Sequence, residues 1–153
     1  MGLDSMIIDL SGTLFDWAKF RRTKVAIKLH LLLDHDGYLP SFAVITEGKM
    51  VDVRVVPQFS FAPGTIVVDD WEYNDYALFG QWTTQGIYFV TRMKDNALYE
   101  VVGGKEVSKN RHILKDELIE LRGLGALNKC PYPLRRIETY DLETDKVLVF
   151  LTN

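Results

Sequence analysis

The feature that most constrains this chain is a pair of short, unbroken apolar runs with a helical segment between them. Thr65 to Val68 reads TIVV and ends in Asp69 and Asp70, and Ile87 to Thr91 reads IYFVT. A short continuous apolar run of this kind predicts a strand buried on both faces. Between the runs, Asn74 to Gln85 places Tyr76, Ala77, Phe79, Gly80 and Trp82 at mixed helical spacing. Asn74 or Asp75 supplies an N-cap and Gly86 a stop. Strand, helix and strand in that order imply a right-handed crossover and a parallel pair.

The flanking sequence is richer in strands. Ser5 to Leu10 is short and apolar with one acid. Val25 to Leu33 sets Ile27, Leu29 and Leu31 against Lys28, His30 and Leu32, the alternation of a half-buried strand. The turn at Asp34-His35-Asp36-Gly37 returns it to Ser41–Thr46 as a hairpin. Val51 to Val56 is β-rich in propensity, with a short helix or turn as the alternative, and Pro57 to Gly64 suits a loop. Beyond Leu98, strands are expected at Tyr99–Val102, Glu117–Leu121, Leu134–Tyr140 and Lys146–Thr152. Gly103-Gly104 and Glu143-Thr144-Asp145 supply turns, and the last two strands make a hairpin. The expectation is a mixed α/β chain with a β-rich C-terminal third.

With 153 residues, one structural unit of ordinary size is expected, with 1–95 as its core and 96–153 as a β-rich region of the same unit. The composition, 47% hydrophobic and 25% charged, excludes long disordered and collagen-like chains. A single cysteine, Cys130, excludes an intrachain disulfide and a multi-cysteine zinc cage. No apolar stretch approaches the roughly 20 residues of a membrane span, and the start carries no secretory pattern, so a cytoplasmic setting is expected. The net charge of −3 argues weakly against nucleic acid. Residues 19–28, KFRRTKVAIK, nevertheless place five cations in ten positions with no acid, as either a solvated surface or a phosphate-binding strip. Lys105, Lys109, Arg111 and His112 form a second basic group.

The candidate chemistry is carboxylate chemistry. Alternation along a strand lets only one of Asp69 and Asp70 point into a given cleft. Asp4 and Asp9 lie on a second acid-bearing strand. Carboxylates from neighbouring strand ends suit Mg²⁺, a hard cation that takes oxygen ligands and keeps several waters; acids that merely end strands are the plainer alternative. His30, His35 and His112 share no metal-ligand spacing, and Cys130 has no base partner in sequence. Trp17, Trp71 and Trp82 with Tyr73, Tyr76 and Tyr88 are either core or stacking surfaces for bases.

Several long blocks carry a family resemblance. Leu14 to Pro40, LFDWAKFRRTKVAIKLHLLLDHDGYLP, resembles a block of bacterial insertion-sequence transposases of the DDE class, which have an RNase H-like fold. Similar blocks follow at Ser41–Thr46, Ile66–Asp70, Tyr73–Phe79, Gly86–Lys94, Leu134–Arg136 and Val149–Asn153. The resemblance implies an RNase H-like mixed sheet with the β-rich region as an insertion. It places the first catalytic, metal-binding acid at Asp4 and the second at Asp70, with Asp69 at a normally apolar position.

It implies Mg²⁺ or Mn²⁺, double-stranded DNA (transposon ends and target) as substrate, and phosphodiester hydrolysis followed by attack of the freed 3′-hydroxyl. A nucleoid-associated setting is implied, and a homodimer is a further expected partner. Lys19, Arg21, Arg22, Lys24, Lys28 and Trp71 are the DNA-contact candidates.

Met6-Ile7 replace the Thr-containing pair that usually follows the first acid, and Trp71-Glu72 replace Arg-Gly after the second. The family's third acid, a Glu in a Tyr-Arg-Glu-Lys-like helix, has no match among Glu106, Glu117, Glu120, Glu138 and Glu143. The chain alone is therefore expected to be inactive in strand transfer. The alternatives are a decayed remnant serving as a DNA-binding or dimerising module, and an RNase H-like nuclease using Glu72 or Asp75 as its third acid.

Overall fold

The computed structural model describes residues 1–10, 19–21, 24–35, 37, 39–70, 74–107 and 112–153. It is a mixed, strand-rich α/β chain that divides into two compact units, 1–61 and 62–153.

In the first unit, β1 (Gly2–Leu10) runs antiparallel to β3 (Lys24–Asp34), in register from Gly2 opposite Leu33 to Leu10 opposite Val25. The far edge of β3 carries β4 (Leu39–Glu47), which completes the expected hairpin, and the short β2 (Lys19–Arg21), which had no sequence signal. Two single 3₁₀ turns, Asp52–Arg54 and Val56–Gln58, follow β4.

The alternation on β3 is real, but its more buried face is the even-numbered one. Ala26, His30 and Leu32 are buried, and Lys28 keeps only 12% of its side chain exposed. This face accepts polar residues because Asp52 is buried against it. Lys28 Nζ lies 2.6 Å from Asp52 Oδ1, and His30 Nδ1 lies 3.3 Å from the same oxygen. His30 Nε2 meets Thr46 Oγ1 at 3.0 Å. Burial lowers the pKa of His30, with Asp52 opposing and Lys28 reinforcing.

In the second unit, β5 (Ile66–Asp69) and β6 (Tyr88–Arg92) form the expected parallel pair, joined by α1 (Tyr76–Thr84). The sheet continues antiparallel from β6 through β10 (Lys146–Thr152), β9 (Leu134–Asp141) and β8 (Ile113–Leu121) to β7 (Tyr99–Gly104). One-turn α2 (Ala126–Lys129) precedes β9.

The helix α1 forms where expected because Asp75 caps it, accepting from Ala77 N at 2.7 Å and Leu78 N at 3.4 Å. At the other end Gly86 takes φ +71°, a left-handed conformation that suits glycine. Phe79 stacks on Phe89 with centroids 4.4 Å apart, and Val67, Trp82 and Leu151 join this core.

Two expectations need correction. The β5–β6 pair is buried on the α1 face only, leaving Ile66, Val68 and Tyr88 about half exposed on the other. Gly103 and Gly104 are not a turn. They lie in β7 opposite Leu118 and Glu117, after a register shift between Val101 and Gly103, the irregularity that glycine accommodates inside a strand. Among the described residues, no helix is long and apolar enough to cross a membrane.

Candidate functional site

The two adjacent aspartates part company where β5 ends. Asp69 faces the same way as Val67 and is 7% exposed, whereas Asp70, the first residue beyond the strand, is exposed. This is the alternation that strand geometry requires.

Neither carboxyl oxygen of Asp69 has a hydrogen-bond partner. Burial pushes its pKa up to about 7; the Thr91 hydroxyl works against that rise, and the Asp70 charge adds to it. Thr91 gives little relief, because its one hydroxyl proton is donated to Asn74 Oδ1 at 3.0 Å. Asp69 is thus a carboxyl turned into the core, and Asp70 is the carboxyl presented outward at the end of a parallel strand. Carboxyl ends of parallel strands are where open α/β sheets place their ligands.

Asn74, two residues before α1, is bonded to the end of β6. Its Nδ2 donates to the Arg92 carbonyl at 2.8 Å, while its Oδ1 takes the Thr91 proton. Asn74 was a candidate cap in the sequence, yet Asp75 caps the helix and Asn74 binds the end of β6. Beside these residues, a cavity of about 240 Å³ is lined by Asn74, Tyr76, Phe79, Lys94 and Lys129 among others.

In the first unit, Asp4 is the third residue of β1. It is exposed, and its Oδ1 accepts from the Ser5 amide at 2.8 Å. Asp9 is also exposed. Of the basic strip, Lys28 is engaged by Asp52 and mostly buried. Lys19 and Arg21 lie on β2 and Lys24 opens β3. Arg22, Trp17, Trp71, Tyr73, Lys109 and Arg111 lie outside the described residues.

Several arginines of the β-rich region are held by acids. Arg135 makes a two-pronged pair with Asp116 at 2.5 and 2.7 Å. Arg136 pairs with Glu117 at 2.7 Å and with Glu138, and lies 5.2 Å from the centroid of the Tyr99 ring. Arg122 pairs with Glu100 at 2.6 Å and Glu120 at 3.0 Å. Glu117, Glu120 and Glu138 are therefore partners of arginine. Cys130 is buried, and burial raises its thiol pKa, which disfavours the nucleophilic thiolate.

Among the described residues, no three His, Cys, Asp or Glu side chains form a metal-holding group. Mg²⁺ binds proteins through one or two carboxylates and keeps several waters. The exposed carboxylates of Asp4 and Asp70 are hard oxygen donors of that kind. Asp69, facing the core, is not.

Comparison with known proteins follows the same residues. The sequence profile described as "Transposase DDE domain" matches residues 3–130. The chain is 28% identical over 158 aligned residues to a Sinorhizobium fredii protein named "Putative transposase y4zB", covering 99% of this chain and 43% of that protein. The chain thus spans less than half the length of that relative.

Proposed function

Because the chain belongs to the transposase DDE domain family, we propose that it carries two of the acids, Asp4 and Asp70, with which a whole transposase cuts and joins DNA. In this reading the fold is RNase H-like, with residues 1–95 as core and 96–153 as its β-rich insertion. Asp4 and Asp70 hold one Mg²⁺ or Mn²⁺. The observation that carries the proposal is the exposed carboxyl of Asp70 at the carboxyl end of β5, inside the matched span.

When bound, the ion supplies charge for activating a nucleophile and steadying the leaving oxygen in phosphoryl transfer. The chain's own residues do the rest. Asp4 and Asp70 bind and orient the ion with their carboxylates. Lys19, Arg21, Arg22 and Lys24 hold the DNA backbone by its phosphates, and Trp71 offers a ring for stacking on bases. Lys28 lies in the same stretch of sequence, but its charge is offset by the ion pair with Asp52. Substrates are double-stranded transposon ends and target, met at the nucleoid, with a homodimer as a further partner.

Two acids make an incomplete set, so the 153-residue chain binds metal and DNA but performs little or no strand transfer. DNA affinity measured against salt tests the reading. The logarithm of the binding constant falls linearly with the logarithm of salt. Charge-removing substitutions at Lys19, Arg21, Arg22 and Lys24 flatten that slope by about 0.9 for each phosphate no longer neutralised. Salt-independent binding, or robust Mg²⁺-dependent DNA joining by this chain alone, overturns it.

A further inference from the structure

The β5–β6 ladder stops one residue before Asp70, and its register shows which way the next carbonyl points. Along β6, Met93 N donates to Val149 O at 2.9 Å, so the polar groups of odd-numbered residues at this end face β10. Tyr88 N donates to Thr65 O at 2.8 Å, so those of even-numbered residues face β5. The Arg92 carbonyl therefore points toward β5. The last paired residues are Asp69 and Thr91. A continued parallel strand would bring a main-chain N–H to that carbonyl. The side-chain amide of Asn74 reaches it at 2.8 Å, and the same amide is oriented by the Thr91 hydroxyl at 3.0 Å.

We propose that Asn74 is a positioning residue for Asp70. Its side-chain amide satisfies the Arg92 carbonyl just beyond the last β5–β6 pair, at the sheet end beside Asp70. One amide ties residue 74, four positions after Asp70, to two consecutive residues of β6, Thr91 and Arg92. Together with the Asp75 cap on the next residue, this fixes both the end of the strand and the start of the helix around the acid. The inference rests on the reading of Asp70 as a metal ligand and adds a residue that holds it in place. Groups that orient a ligating carboxylate matter for affinity nearly as much as the ligand itself.

The second unit contains its own control. Asn153 also clamps β6 through a side-chain amide, but at the opposite end. Its Nδ2 donates to Ile87 O at 2.9 Å and Thr83 Oγ1 at 3.0 Å, and its Oδ1 accepts from Phe89 N at 3.1 Å.

The test is Mn²⁺ titration of the 153-residue chain, followed by water-proton relaxation, on the wild type, Asn74→Ala, Asn74→Leu, Asn153→Ala and Asp70→Asn. Asn74→Leu fills the volume of the amide without its polar atoms. The expected result is a roughly ten- to a hundredfold loss of affinity in both Asn74 variants, with Asn153→Ala unchanged. Wild-type affinity in the Asn74 variants, or an equal loss in Asn153→Ala, overturns the inference.

Amide hydrogen exchange decides it separately from the metal. Exchange at Asp69 and Arg92 quickens in the Asn74 variants and not in Asn153→Ala. Unchanged exchange there overturns the inference even where Mn²⁺ binds. Mn²⁺ binding that ignores Asp70→Asn, alongside quickened exchange, sinks the metal reading and leaves Asn74 as the clamp on the end of β5.

Discussion

Replacing Asp69 with Asn should stabilise the protein, and the gain should depend on pH. Asp69 is 7% exposed, lacks a hydrogen bond to either oxygen, and has its pKa raised from 3.8 to about 7, chiefly by burial. Between those two values the folded chain keeps a proton that the unfolded chain has released. Folding stability therefore falls as pH rises from about 4 to 7 and is level above. A tenfold change in proton affinity is worth about 1.4 kcal/mol, so the full penalty above pH 7 is about 4 kcal/mol.

Asn has nearly the same shape and no ionisation, so Asp69→Asn lacks this slope. Any constant cost of burying the amide cancels when two pH values are compared. Urea unfolding of both proteins at pH 5 and pH 8, followed by far-UV circular dichroism with a chelator present, should show the stability gap widening by about 3 kcal/mol in favour of Asn. A gap that stays constant between the two pH values refutes the reasoning.

Two further substitutions probe the packing. Asp52→Asn removes the charge that Lys28 and His30 face in the first unit. It should cost about 3 kcal/mol in urea unfolding, the low end for a broken buried pair because Lys28 retains some access to water. No loss contradicts the buried-network account of β3. Gly80→Ala on α1 would set a Cβ 2.1 Å from the Lys129 main-chain carbonyl of α2. The helices must separate, and a loss of about 3 kcal/mol is expected by the same assay; a neutral result contradicts the close approach of α1 and α2.

What was legible in the sequence followed from local chemistry. The β5–α1–β6 crossover could be read because two apolar runs, an acidic cap and a glycine stop all lie within 27 residues of one another. The β3–β4 hairpin announced itself by its turn, and β9–β10 by the turn at Glu143-Thr144-Asp145. What escaped depended on distant partners. Lys28 and His30 face inward because Asp52, 24 residues after Lys28, is buried against them. Strand β8 begins at Ile113 rather than Glu117 because Lys115 and Asp116 at its start are paired with Glu138 and Arg135 on the next strand. Gly103 and Gly104 read as a turn because a bulge and a turn leave the same glycine signature.

At the candidate site, alternation said that Asp69 and Asp70 must diverge, the family resemblance put Asp69 at the apolar position, and the packing of α1 on one face of the sheet is what buries it. Asn74 had one visible role, as a cap. Its bond to Arg92 depends on a strand 14 or more residues downstream, which spacing alone does not reveal.

The proposal that Asp4 and Asp70 share one ion can be tested by letting an ion report its own ligands. With Fe²⁺ in place of Mg²⁺, ascorbate and peroxide generate radicals that cut the polypeptide beside the metal. The account predicts cuts near residue 4 and near residue 70, both suppressed by excess Mg²⁺ and both lost in Asp4→Asn and in Asp70→Asn. Cuts at only one of the two places, or cuts near residue 4 that survive Asp70→Asn, would contradict it.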